Sequence, residues 1–177
     1  MKLKKIKIIN IFGVFTLSFL CHFMYEWLPC TFTSVFFPVN ESIWEHMKIF
    51  FTATLLYGII EYFILKRTRI PFNNFLLSTV ITSIISIPIY LIIYLPLYKL
   101  FGEKMFISIG LMFIVYALMA YISYKLLTYR KLNVNKYLLL TLIIVVYGIF
   151  IYLTYKPIKN YIFFDIKEKK YGINIYN

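Results

Sequence analysis

Five long apolar stretches are the feature that most limits what this chain can fold into. They cover about residues 6–27, 40–65, 74–97, 105–127 and 137–155. A helix needs about 20 apolar residues to cross a hydrocarbon core roughly 30 Å thick, and each stretch is of that order. In lipid the backbone polar groups must be satisfied internally, so such stretches form helices. The sequence therefore predicts an all-α polytopic membrane bundle of five transmembrane helices in a single domain, residues 1–177.

The basic residues indicate how this bundle lies in a membrane. The chain has 19 Lys and Arg against 7 Asp and Glu, a formal charge of +12, and the lysines lie at the ends of the apolar stretches. There they can meet anionic lipid head groups, so we expect membrane lipids and not nucleic acid as partners. The sequence indicates no particular protein partner. With the N-terminus inside, 11 of the 19 basic residues face the cytoplasm. The positive-inside rule therefore predicts a multi-pass protein of the cell membrane, N-in and C-out.

Ionisable side chains gather where the first predicted helix ends and the second begins. Such groups are expensive to desolvate at membrane depth, so each one is a hypothesis about a site. A spacing of four residues places His22 and Glu26 on one helix face, and the same spacing relates Glu41 to Glu45. His46 lies next to the second pair. Because a short linker makes the two helices antiparallel neighbours, we expect all five side chains at one level on the outer face.

Imidazoles and carboxylates are the ligands that a divalent metal such as zinc takes from proteins. We therefore interpret His22, Glu26 and His46 as candidate metal ligands; the sequence does not identify the cofactor, for which a divalent metal is the candidate. Glu45 and Glu41 are the candidates for moving protons in catalysis. Such a site would suit a metal-assisted hydrolase or transferase acting on a lipid or envelope substrate. Two alternatives stay open: a transporter or sensor linked to a cation or a proton, and a non-catalytic structural membrane subunit.

Several residues of the same segment also have a structural interpretation. Asn40 is a good N-cap, and Val39 and Trp44 then occupy the positions of a hydrophobic staple. Ser42 and Glu45 fit a capping box instead. Trp44 also suits the aromatic belt at a membrane interface. We therefore interpret Asn40, Ser42 and Trp44 as structural residues that build the start of the second helix.

Other polar residues within the apolar stretches have simpler interpretations. Glu61 lies roughly 24 Å along the helix from Glu45 and is expected to pair with Lys66 or Arg67 at the inner interface. Asn10 is expected to hydrogen-bond to a neighbouring helix. One face of the third helix carries a row of hydroxyl residues, which favours a close-packed seam over a polar pathway. These residues are Thr79, Thr82, Ser83 and Ser86.

The polar tail, residues 156–177, offers one more candidate. If it folds back over the outer face, Asp165 becomes a sixth member of the cluster. A solvated tail is the alternative. Cys21 and Cys30 lack the spacing of a metal or disulfide framework and are predicted to be free thiols.

The segment from Pro38 to Lys48 resembles the signature of a family of small, uncharacterised bacterial polytopic membrane proteins. In that family a P-V-N-E-S-x-W-E-H-x-K run opens the second helix. The tail, with Pro157, Phe164-Asp165 and Tyr171-Gly172-Ile173, is similar to the family's ending but lacks a second proline beside Pro157. The resemblance implies a shared site and supplies no activity. No H-E-x-x-H zinc signature is present, so a comparison with membrane metallohydrolases is an analogy.

Overall fold

The computed structural model describes residues 2–173, which are mostly helical. Five of the helices are long and apolar enough to cross a membrane. The predicted all-α class with five spans is confirmed, and the chain is a multi-pass membrane protein. The last part of the predicted tail, residues 174–177, lies outside the described residues. The elements are α1 (Leu3–Trp27), α2 (Thr31–Phe36), α3 (Ile43–Arg67), α4 (Phe75–Phe101), α5 (Met105–Thr128), α6 (Lys136–Tyr155), β1 (Phe164–Asp165) and β2 (Lys170–Tyr171).

The long helices alternate in direction and so define two ends of the bundle. The motif end holds Trp27, Ile43 and Tyr155, and the base end holds Leu3, Arg67 and Lys136. Two boundaries differ from the prediction at the motif end. Helix α3 begins at Ile43 rather than at residue 40, and the linker before it contains the short helix α2. Six residues are too few to show a helical period, so the sequence pattern did not reveal α2.

Helix α3 is the centre of the bundle. In its most apolar window 56% of the residues are buried within the protein, against 17% for α6. The core around α3 is aromatic, with the Phe50 ring lying against Tyr90 of α4 and Tyr116 of α5. Met47 and Phe51 of α3 are fully buried in the same cluster. Because α3 is packed on several sides, the polar residues at its start are held at the motif end of the bundle.

The hydroxyl row on α4 is satisfied within its own helix. Thr82 Oγ1 donates to the Ser78 carbonyl at 2.8 Å, and Ser86 Oγ donates to the Ser83 carbonyl at 2.8 Å. Ser83 Oγ likewise donates to the Val80 carbonyl. Hydroxyls bonded one turn back on a helix leave small surfaces for close packing. The observed bonds agree with a packed seam.

The tail folds back over the motif end. Strands β1 and β2 pair as an antiparallel ribbon. The Trp44 amide donates to the Ile162 carbonyl at 2.9 Å, and the Ile173 amide donates to the Thr154 carbonyl at 3.1 Å. The Trp44 ring packs on Phe163, with 5.1 Å between ring centroids. Of the two interpretations of the tail, the structure therefore has the docked one.

Two expectations about the middle of the bundle are wrong. Glu61 is buried and pairs with Lys7 of α1, whose Nζ lies 2.5 Å from Oε1, whereas Lys66 and Arg67 are exposed. The reason is that α1 packs along α3, so the inward face of α3 meets a lysine of another helix. Asn10 is also buried, but within residues 2–173 neither amide atom has a hydrogen-bond partner.

Candidate metal centre

Ser42 caps helix α3. Its Oγ accepts a hydrogen bond from the Glu45 amide at 3.3 Å, so of the two predicted caps, Asn40 and Ser42, the structure has the one at Ser42. Asn40 instead braces the segment before the helix. Its Oδ1 accepts from the Ser42 amide at 2.9 Å, and its Nδ2 donates to the Gly172 carbonyl in the tail at 2.8 Å. The amide of Asn40 is thus occupied by the tail and by a local turn, which leaves the capping position to Ser42.

Glu45 belongs to a buried ion pair that we call the clamp. Its Oε2 lies 2.7 Å from Lys48 Nζ, and the two side chains are 2% and 0% exposed. The remaining acceptor positions of the carboxylate receive the Thr154 hydroxyl at 2.7 Å and the Val39 amide at 3.1 Å. Lys48 also donates to the Ser34 carbonyl of α2 at 2.7 Å. The clamp ties α2, α3 and α6 together, and Glu45 does not join the ligand cluster described next.

Three of the candidate residues meet at the motif end. Glu41 lies between the two imidazoles: Oε1 is 3.5 Å from His22 Nε2, and Oε2 is 3.7 Å from His46 Nε2. One ligand atom from each of the three residues lies within 4.8 Å of the other two. The side chains are 25%, 31% and 28% exposed for His22, Glu41 and His46. We call this group the His–Glu–His cluster, and water can reach it.

The orientation of the His46 ring suits metal binding. Its Nδ1 lies 2.8 Å from the Ser42 carbonyl oxygen, which can only accept, so Nδ1 carries the proton and donates. The lone pair is then on Nε2, the atom that faces Glu41. Fixing one ring nitrogen on a carbonyl is how proteins orient metal-binding histidines. The His22 ring is stacked against His46 with 5.2 Å between ring centroids, which holds both rings at one level.

The tail supplies two further groups. Asp165 is fully buried; its Oδ2 accepts from the Glu41 amide at 2.9 Å, and its Oδ1 accepts from the Lys167 amide at 2.8 Å. Lys167 Nζ lies 3.2 Å from Glu41 Oε2. This hydrogen bond to Glu41 raises the pKa of Lys167, which stays charged. Asp165 therefore holds the backbone of the cluster, and Lys167 occupies one carboxylate oxygen of Glu41.

The other candidates lie beside the cluster. Glu26 is exposed and does not belong to the group of three ligand atoms. Trp44 packs between Phe163 of the tail and Phe150 of α6, where it joins the start of α3 to both. Trp44 thus has a structural role, and its aromatic partners are Phe150 and Phe163.

Two residues of this region had no signal in the sequence. Lys167 is one of several lysines in the tail, and only the docked ribbon selects it as the partner of Glu41. Thr154 lies near the end of an apolar helix, where a lone threonine is unremarkable, yet its hydroxyl completes the clamp. Both contacts join segments more than 100 residues apart, at separations of 126 and 109.

A family of unknown function, DUF6512, has a model that matches residues 1–173. The match covers nearly the whole chain, so the chain belongs to this family. No curated protein and no solved structure matches the chain. The predicted membership of an uncharacterised family is confirmed.

Proposed function

We propose that this chain, a member of the DUF6512 family, binds a divalent transition metal at the motif end through His22, Glu41 and His46. With that metal it would act as a hydrolase or transferase on a lipid or envelope substrate. The observation that carries the proposal is the His–Glu–His cluster, in which side chains from α1, from α3 and from the segment before α3 bring three ligand atoms within 4.8 Å of one another.

The spacing within the cluster suits a tetrahedral ion. A metal with bonds of about 2.1 Å holds neighbouring ligands roughly 3.4 Å apart. The two imidazole nitrogens lie 3.5 and 3.7 Å from the nearest Glu41 oxygens. These are the two different oxygens of Glu41, and the three ligand atoms together lie within 4.8 Å of one another, so side-chain rotations would be needed to complete the site. Three protein ligands and one open position are the arrangement of catalytic rather than structural zinc.

The chemistry follows from the ligand set. One carboxylate and two neutral imidazoles would leave a bound divalent ion with one net positive charge, and such an ion would supply a Lewis acid that makes a bound water more acidic. Glu26 stands one helical turn from His22, is exposed and makes no ion pair within the described residues. We assign it the part of proton acceptor in place of Glu45, whose oxygens are all occupied by the clamp.

The substrate class follows from the surroundings. The cluster lies near the ends of α1 and α3, where lipid head groups would surround the bundle. Five lysines of the docked tail lie at the same end, where they would attract a phosphate or another anionic group. They are Lys156, Lys159, Lys167, Lys169 and Lys170. A lipid or envelope molecule with an anionic head group fits this charge.

Metal analysis tests the proposal. The purified protein should carry about one zinc or similar ion per chain after incubation with metal and desalting, and His22→Ala and His46→Ala should lose it. Glu103→Gln is the matched control, because Glu103 is exposed in the loop at the same end of the bundle. A wild-type protein that retains no stoichiometric metal would overturn the proposal. Metal-free, folded protein with stability lost in both histidine variants would favour the structural subunit.

The same proposal places the motif end outside the cell membrane, N-in and C-out. Lys131 at the base end and Lys169 in the tail are both exposed, so each can be replaced by cysteine in a chain with Cys21 and Cys30 removed. An impermeant thiol reagent added to intact cells should label Lys169→Cys and spare Lys131→Cys. The reverse labelling would invert the orientation and bring the site into the cytoplasm.

A further inference from the structure

A second polar group lies inside the bundle, well away from the His–Glu–His cluster. Its centre is the buried ion pair of Lys7 and Glu61, whose side chains are 7% and 9% exposed. Lys7 Nζ also donates to Ser123 Oγ of α5 at 2.5 Å, and Ser123 Oγ lies 2.7 Å from Ser78 Oγ of α4. On α1, Lys7 and His22 are 15 residues apart, which is about 22 Å along a helix. The two sites are therefore separate.

A cavity adjoins this ion pair. Helices α1, α3, α4 and α5 line it, and it offers about 40 Å³ to the centres of water-sized molecules. About 10–15 Å³ of such space suffices for one water, so the cavity has room for a few. The space is too small for an organic substrate.

The lining of the cavity calls for water. Asn10 is 4% exposed, yet neither its Nδ2 nor its Oδ1 has a hydrogen-bond partner within residues 2–173, and the Thr54 hydroxyl has none either. Both residues line the cavity beside Lys7 and Glu61. A buried polar group without a partner is costly, and water in a roomy polar cavity is the usual partner. Asn10 and Thr54 thus line the same cavity, and water there would give both a hydrogen-bond partner.

We propose that this cavity is a hydrated proton-binding site in which water connects Asn10 and Thr54 to the Lys7–Glu61 pair. The proton is taken from water by the Glu61 carboxylate and is returned to water. Occupation therefore changes the charge of the site by one. The inference is independent of the metal proposed at the motif end.

The groups that face the cavity limit what can titrate there. Helix α1 contributes Lys7, α3 contributes Glu61 and Tyr57, and α5 contributes Tyr116. Helix α4 contributes only hydroxyls. The Tyr116 hydroxyl already shares a hydrogen bond of 2.6 Å with Ser18. Glu61 is the only carboxyl group among the residues that line the cavity, so we assign the proton to it.

Thiol labelling tests the hydration. In full-length protein in liposomes, with Cys21 and Cys30 replaced, Thr54→Cys should react with a small water-soluble thiol reagent. Ser86→Cys is the control, because Ser86 is also inside the bundle but does not line the cavity. We expect Thr54→Cys to react on the order of tenfold faster, and Asn10→Leu, which fills the cavity, to remove the difference. Equal rates at both positions would overturn the proposal.

Infrared titration tests the proton. On acidification the wild type should gain a protonated-carboxyl band that Glu61→Gln lacks, and Lys7→Met should gain the same band at higher pH because the cation is gone. The double variant Lys7→Met/Glu61→Gln removes both charges and guards against misfolding of the single variants. Folded wild type and double variant with identical titrations would overturn the proposal, whichever result the metal analysis gives.

Discussion

Glu41 and Glu45 stand four residues apart in one polar segment, yet their surroundings are opposite. The Glu45 carboxylate is 2% exposed, and both of its oxygens have donors, which are Lys48, Thr154 and the Val39 amide. The Glu41 carboxylate is 31% exposed, and its oxygens lie 3.5 Å from His22 Nε2 and 3.7 Å from His46 Nε2. The comparison teaches that a carboxylate's availability depends on its partners. In the clamp, the Glu45 carboxylate is neutralised by Lys48 and stabilises the fold. In the cluster, the Glu41 carboxylate is open to solvent and can bind a ligand.

The clamp should give the largest effect on stability. Glu45→Gln leaves the buried Lys48 ammonium without its counter-charge, and loss of one partner of a buried pair costs about 3–5 kcal/mol. Thermal unfolding in detergent measures the change. The exposed control Glu103→Gln should stay within about 0.5 kcal/mol of the wild type. If Glu45→Gln unfolds like the control, the clamp is not structural.

The cluster should give the opposite pattern. His46→Ala removes a ligand and should weaken metal binding by at least the ~100-fold that changes beside a metal site produce. Thr154→Val is the counterpart in the clamp: it removes one hydrogen bond, worth about 1 kcal/mol of stability, and should leave metal affinity unchanged. Calorimetric metal titration measures the metal affinity of both variants, and thermal unfolding measures their stability. If His46→Ala and Thr154→Val lose metal equally, the cluster and the clamp act as one network.

Lys167 should affect the cluster in the reverse direction. Its Nζ occupies Glu41 Oε2 and places a positive charge where a cation would bind. The side chain is 64% exposed, so solvent screening keeps the pair within about 1 kcal/mol. Lys167→Ala should therefore tighten metal binding by up to about fivefold, with Lys169→Ala as the control in the same tail. If Lys167→Ala binds metal more weakly and Lys169→Ala does not, Lys167 instead helps to position Glu41 for the metal.

The smallest effect should appear at alkaline pH. The pKa of Lys167 is raised by Glu41, so the contribution of this pair to stability is complete below the unfolded lysine value of about 10.4. It is lost as pH rises through the raised pKa. Since the pair is exposed, we expect less than about 0.5 kcal/mol. The difference in unfolding temperature between wild type and Lys167→Met, measured from pH 8 to 11 by the same method, should shrink at the upper end. A constant difference would remove this contribution.

The parts that the sequence predicts correctly depend on local pattern, and the rest depends on distant segments. Apolar length alone located the five spanning helices, because the backbone in lipid has few alternatives. Both Asn40 and Ser42 match a cap, and the choice between them depends on Gly172, which lies 132 residues beyond Asn40. The partner of Glu61 was wrong for the same reason: Lys66 is nearer in sequence, but Lys7 is nearer in the fold. Of the five residues expected at one level, three meet, whereas Glu45 is held by Lys48 and Thr154 and Glu26 is exposed.

The contact between Asn40 and Gly172 has a consequence for how the protein is made. Gly172 has a φ of +58°, and a Cβ there would collide with the Thr154 carbonyl, so the tail passes close to α6 where it meets Asn40. Protein synthesis runs from the N-terminus, and the Asn40 segment emerges from the ribosome long before residue 172. The hydrogen bond from Asn40 Nδ2 to the Gly172 carbonyl can therefore form only after this part of the tail has been synthesised. A chain cut short before Asp165 would insert its helices but would lack the tail contacts to Asn40 and to the Glu41 amide.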